Sequence, residues 1–174
     1  MKPHVTILLT GGTMDSYFDP ITESIRVNHE STIRSYLEGL ELYFSYDFEE
    51  ICLKDSRDIA EDDRKEMLNT IKASESERFL IVHGTYTMPD SGAFLQKNID
   101  EIPGKTVVLT GSMKPLRDFT STDAPFNLGF ALASLLYLPA GAYVAMNGHV
   151  FKPDNVYKNV KKGRFEFIKT DVAP

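Results

Sequence analysis

Leu8-Leu9-Thr10-Gly11-Gly12-Thr13-Met14 and Leu80-Ile81-Val82-His83-Gly84-Thr85-Tyr86-Thr87-Met88 decide the fold. Each is a short apolar run that breaks into glycine and threonine. A continuous apolar run of this length fits a strand buried on both faces, as in a parallel sheet. Glycine beside the threonine lets the backbone turn sharply and approach a ligand closely. Ligands of open α/β sheets bind outside the carboxyl ends of the strands, so two such turns put two hydroxyls over one expected pocket.

Outward from these turns the chain alternates. Val5 to Leu9, Phe79 to Val82, Thr106 to Leu109 and Ala142 to Met146 read as buried strands, with Val150 to Phe151 continuing at an edge. Ser31 to Leu40, Ala60 to Ala73, Met88 to Ile99 and Asp123 to Leu138 carry helical spacing. Thr87 with Asp90 suggests a capping-box-like start for the third helix. The fourth is apolar on more than one face, through Phe126, Leu128, Phe130, Leu132, Leu135 and Leu136, and is expected to be deeply covered. Leu42 to Leu53 reads as extended, and residues 14 to 30 as a long loop with a small hairpin around Glu23 to Val27. Such a loop in a compact domain points to function. The alternation predicts a three-layer α/β domain of parallel βαβ units with right-handed crossovers. No repeat or linker divides it, so one domain is expected over 1–174.

The totals fit a soluble globular chain: 174 residues, 42% hydrophobic, 25% charged. A net charge of −6 argues against nucleic acid, whose phosphates need a basic surface. Lys152, Lys158, Lys161, Lys162 and Arg164 form a local basic stretch, read as a solvated tail or subunit contact. The single Cys52 forms no internal disulfide and sits in an apolar run, which suits packing in a reducing cytosol. No run resembles a signal peptide or a membrane span, and a cytoplasmic location is expected. His4, His29 and His149 lack metal-ligand spacing, and His83 reads as a hydrogen-bonded structural histidine.

Taken in order, the blocks resemble the bacterial-type L-asparaginases and glutaminase-asparaginases. Thr10-Gly11-Gly12-Thr13 is similar to that family's first active-site signature, and His83-Gly84-Thr85-Tyr86-Thr87-Met88 to its second. Lys105 to Met113, followed by Ser121-Thr122-Asp123-Ala124-Pro125-Phe126-Asn127-Leu128, resembles a third conserved stretch. Met146-Asn147-Gly148 and Val150-Phe151 fit the strand that closes the family's N-terminal domain. The resemblance implies a doubly wound, mostly parallel sheet of flavodoxin or Rossmann type. It also implies hydrolysis of L-asparagine to L-aspartate and ammonia, with no metal or organic cofactor, in a homo-oligomer.

The resemblance further implies roles. Thr13 would attack the side-chain carboxamide and form an acyl-enzyme, with Tyr17 positioning or deprotonating its hydroxyl. Thr85 and Lys105 would form the cluster that turns the intermediate over, and Ser56 would hold the substrate's α-carboxylate. Backbone amides at Gly84 and Thr85 would face the oxyanion. Gly12, Asp55, Tyr86 and Ser112 complete the expected substrate-contacting set. Taken alone, Thr13 and Thr85 read as turn residues at strand ends and Lys105 as a surface lysine; the conjunction raises them.

The chain departs from the family in two places. The family carries an aspartate where Tyr86 stands, a carboxylate expected to hold the substrate's α-ammonium and to pair with the lysine. A tyrosine supplies no counter-ion near neutral pH. The family also has a C-terminal domain, absent from the expected 1–174 unit. Alternatives to asparagine hydrolysis are a catalytically silent amino-acid binder, and an amidase for glutamine, a peptidyl amide or an amide without a free α-amino group. A nucleotide-binding flavodoxin-like module is more distant, since the first turn lacks the dinucleotide glycine spacing and the phosphate-loop lysine.

Overall fold

In the computed structural model, residues 2–117 and 119–168 are described; the end of the expected 1–174 domain lies outside them. In chain order the elements are β1 (His4–Gly11), a hairpin of β2 (Ser16–Asp19) and β3 (Ser24–Val27), α1 (Thr32–Glu38), β4 (Ser45–Lys54), α2 (Glu61–Ala73), β5 (Arg78–Val82), α3 (Met88–Lys97), β6 (Thr106–Thr110), α4 (Ala124–Tyr137), β7 (Gly141–Met146), β8 (His149–Phe151), and a hairpin of β9 (Tyr157–Asn159) and β10 (Arg164–Glu166). The central sheet runs β4-β1-β5-β6-β7-β8, parallel except for β8. Both of its faces are covered by helices, as the unbroken apolar strands require.

Helix starts follow local chemistry. Ser31 accepts from the Ile33 amide ahead of α1, and the Asp63 carboxylate accepts from the Ala60 amide ahead of α2. Met67, Leu68 and Ile71 of α2 and Met88 and Leu95 of α3 pack on one face with Phe79, Ile81, Val107 and Leu109. Ile33 and Leu37 of α1 pack on the other with Leu128, Ala131 and Leu135 of α4, over Ile7, Leu80, Val82 and Val108.

This distribution corrects the expectation of uniform handedness. The step from β1 to β4 moves one way across the sheet with α1 on one face. The steps to β5 and β6 move the other way with α2 and α3 on the opposite face, which keeps the same hand. The step from β6 to β7 continues in that direction, yet α4 lies on the face of α1. Its hand is therefore reversed, and since right-handed crossing is the general rule, β6–α4–β7 is the left-handed unit. The reason is coverage: three right-handed crossovers would stack α2, α3 and α4 together and leave Leu80, Val82, Val108 and Tyr143 exposed.

A second correction concerns α4. Its inner side is buried, but Phe126 and Tyr137 are 60% and 89% exposed, so the outer apolar side is uncovered.

Candidate active site

Parallel pairing in register, Leu9 with Val82 and Val82 with Thr110, brings the turns after β1, β5 and β6 side by side. The first two touch through their backbones. A Cβ on Gly12, whose φ is +77°, would fall 2.3 Å from the Gly84 Cα, and a Cβ on Gly84 would fall 2.6 Å from the Ser56 Cβ. Three strand ends meet where no side chain fits between them.

Thr13 and Thr85 stand on this floor. The half-buried Thr13 hydroxyl has no hydrogen-bond partner among the described residues. Thr85 is 2% exposed, and its hydroxyl accepts from the Lys158 Nζ at 2.6 Å. The amides of Gly84 and Thr85 find no acceptor among the described residues.

Lys158 arrives on the β9–β10 hairpin, which a chain of amides fastens to the sheet. Asn127, buried in α4, donates to the Gly111 carbonyl and Asp123 and accepts from the Asn147 amide; the Asn147 side chain in turn accepts from the Phe165 amide of β10. Glu166 gathers Asn159, Lys162, Arg164 and Tyr157 around its carboxylate, which holds it down at a pKa of about 2. Desolvation lowers the pKa of Lys158, opposed by the nearby Asp55 and reinforced by Arg57. Its ammonium lies 3.7 Å from the centroid of the Tyr86 ring, and the Arg57 guanidinium lies 5.1 Å from the same centroid. Arg57 also grips Asp55 through Nε at 3.0 Å and Nη2 at 2.7 Å, which depresses the Asp55 pKa.

Two threonines on adjoining strand ends, one free and one bonded to a partly desolvated lysine, are now in place. The family described as "Asparaginase, N-terminal" matches residues 4–174. The chain belongs to the asparaginase family. The probable periplasmic L-asparaginase of Haemophilus influenzae is 29% identical over 164 residues, covering 90% of this chain and 46% of that protein. L-asparaginase 2 of Escherichia coli is 29% identical over 165 residues, with the same coverage of 90% and 46%. The chain thus spans about half the length of the curated relatives it matches. In the crystal structure of L-asparaginase I from Vibrio cholerae, the same fold superposes with a TM-score of 0.80 at 24% identity, covering 96% of this chain and 52% of that one.

Within this asparaginase domain, the expected residues divide. Gly12, Thr13, Ser56, Gly84, Thr85 and Tyr86 come together, and Asp55 joins them through Arg57 and Tyr86. Ser56 is 1% exposed and acts inside the fold: its hydroxyl accepts from the Tyr86 amide at 3.2 Å and its carbonyl from the Thr87 hydroxyl at 2.5 Å. Thr87 is thereby diverted from the expected cap on α3. Tyr17 stands on β2 opposite Arg26, half-buried, and its hydroxyl bonds to no described residue. Ser112 is fully buried and donates to the Lys114 carbonyl, so its hydroxyl holds the loop after β6.

Lys105 does not belong to the cluster. It precedes β6 and therefore sits at the amino end of the sheet, roughly 15 Å along the strand from the turns. There its ammonium donates to the Ser74 carbonyl at 2.5 Å and the Ser76 carbonyl at 2.9 Å, just beyond the end of α2. Lys158 occupies the position by Thr85 that Lys105 was expected to fill; the rest of the basic stretch, Lys152, Lys161, Lys162 and Arg164, is exposed as expected. The available signal was a pair of short runs, Tyr157-Lys158-Asn159 and Arg164-Phe165-Glu166, around a turn ending at Gly163 with φ +61°.

The other polar residues support the floor. His83 is fully buried, with Nε2 on the Ser91 hydroxyl and Nδ1 on the Gly84 carbonyl, and burial pushes its pKa down to about 4. Asp123 precedes α4 without capping it; its carboxylate accepts from the Met113 and Lys114 amides instead. Cys52 packs against the core, where desolvation raises its pKa to about 11. Among the described residues no helix is long and apolar enough to cross a membrane.

Proposed function

We propose that this domain hydrolyses the carboxamide of asparagine-type substrates through a Thr13 ester. The observation that carries this reading is the Lys158–Thr85 hydrogen bond of 2.6 Å beside an uncommitted Thr13 hydroxyl. Thr13 Oγ bonds to the amide carbon, the C–N bond breaks, and ammonia leaves with the threonine proton. Water then adds to the ester carbon, the Thr13–acyl bond breaks, and the carboxylate product departs as the proton returns to Thr13. A lysine whose pKa is lowered by desolvation is suited to give up and regain a proton at the Thr85 hydroxyl. The free amides of Gly84 and Thr85 are suited to the oxyanion, where one such donor contributes about 2.7–4 kcal/mol. Tyr17, on the hairpin following Thr13, orients that hydroxyl when substrate is bound.

No metal or organic cofactor enters this scheme. Residues 1–174 form one domain in this reading, in a cytoplasmic homo-oligomer. The test is ammonia release from L-asparagine, L-glutamine and succinamate by the protein and by its Thr13→Ala variant. Release that survives unchanged in Thr13→Ala sinks the nucleophile assignment. Tyr86 favours a second reading, a silent binder, because it stands over Lys158 without a charge; ligand-dependent thermal stabilisation without turnover would support it.

A further inference from the structure

The charge around Tyr86 is lopsided. Lys158 has three N–H donors, of which Thr85 takes one, and it forms no ion pair with a described carboxylate. The Arg57 guanidinium lies 5.1 Å from the centroid of the same ring. None of the described acids near this ring bonds to Lys158. Asp55 is held by Nε and Nη2 of Arg57. Asp15 is fully buried; its Oδ1 accepts from Asn28 and Thr32, and its Oδ2 has no partner among the described residues but is sealed from a ligand. Asp123 accepts from loop amides and Asn127, and Glu166 is surrounded by its own hairpin. The exposed Asp58 carboxylate bonds to no described residue and raises the pKa of its neighbours Arg57 and Lys54 slightly. The rest of the floor offers hydroxyls and backbone N–H groups, which also suit anions.

Among the described residues, a ligand entering here therefore meets two cations and one aromatic face, and the carboxylate nearest them, Asp55, is already held by Arg57. A substrate carboxylate gains spare donors from Lys158, whereas a substrate ammonium at Tyr86 meets like charge. Juxtaposed like charges oppose binding at a recognition site.

Resting on the amidase reading above, we infer that the site selects ω-amides of dicarboxylic acids that lack a free α-ammonium, of which succinamate is the simplest, and that Tyr86 is the residue that sets this choice. Tyr86 touches the substrate region through its ring and has no part in the bond-making steps. It is half exposed, so its replacement leaves the core intact.

The experiment measures kcat/KM for succinamate and L-asparagine in the protein, in Tyr86→Phe and in Tyr86→Asp. The expected result is a preference for succinamate of roughly tenfold or more, kept by Tyr86→Phe and inverted by Tyr86→Asp. A preference for L-asparagine in the unaltered protein overturns the inference and leaves the amidase reading standing. If no protein releases ammonia from either compound, the amidase reading fails, and thermal midpoints with succinate and L-aspartate decide the selectivity. Stabilisation by succinate above L-aspartate supports it; equal, reversed or absent stabilisation overturns it.

Discussion

Lys105 and Lys158 are both half-buried lysines whose pKa is lowered by desolvation, and they lie at opposite ends of the sheet. Lys105 spends its donors on two main-chain carbonyls past the end of α2, a favourable place for a cation. Lys158 gives one donor to a side-chain hydroxyl and rests against an aromatic ring. A carbonyl has no proton to exchange, whereas a threonine hydroxyl does. The comparison teaches that a shifted pKa marks burial, and that the partner decides whether the group can do chemistry.

The strongest way to break this contrast is to neutralise each lysine. Lys158→Met should lower kcat by about 10²–10⁴, the range for a lost proton-transfer group, while Lys105→Met should leave kcat nearly unchanged. Equal losses in ammonia-release assays would erase the distinction.

Next in size is a pH effect on the floor that both threonines share. His83 has a folded pKa of about 4 against an ordinary 6.5, so between these values the unfolded chain binds the proton and the folded one does not. Its contribution is complete above about pH 6.5 and is lost as pH falls toward 4, amounting to about 3 kcal/mol at most. Urea denaturation at pH 7 and 4.5 should show a smaller drop in His83→Gln than in the unaltered protein. A drop of the same size in both would remove His83 from the account.

Gly84→Ala comes third. The added carbon would press on Ser56, and overpacking of this kind costs about 1–3 kcal/mol, visible as a lowered urea midpoint together with lost activity. The smallest effect is Lys105→Met on stability, about 1 kcal/mol or less, because the contact is partly solvated. A larger loss than that of Gly84→Ala would show that the amino end of the sheet matters more than its turns.

The sheet and helices were legible because their signals are local. Val5 to Leu9 and Phe79 to Val82 are apolar runs ending in glycine, and Met67, Leu68 and Ile71 share one helical face. The Gly-Thr turns were legible for the same reason, and register alone brings them together. Lys158 was not, since the link from β10 to the sheet runs through Asn127 and Asn147, residues twenty positions apart whose contact no pattern announces. Lys105 misled because a family resemblance was carried to it, although its place just before β6 already sets it at the amino end of the sheet, opposite the turns. The reversed crossover at α4 was likewise invisible: it answers the need of both sheet faces for cover, which is a property of the assembled layers.

The contact of Gly12 with Gly84 has a mechanical consequence. With main chain lying directly on main chain, the floor under Thr13 and Thr85 has no rotamers to adjust, and the spacing of the two hydroxyls is as stiff as the sheet itself. Compliance must come from the walls, the β2–β3 hairpin carrying Tyr17 and the β9–β10 hairpin carrying Lys158. Of these two walls, the second is itself tied back to the sheet through Asn127 and Asn147.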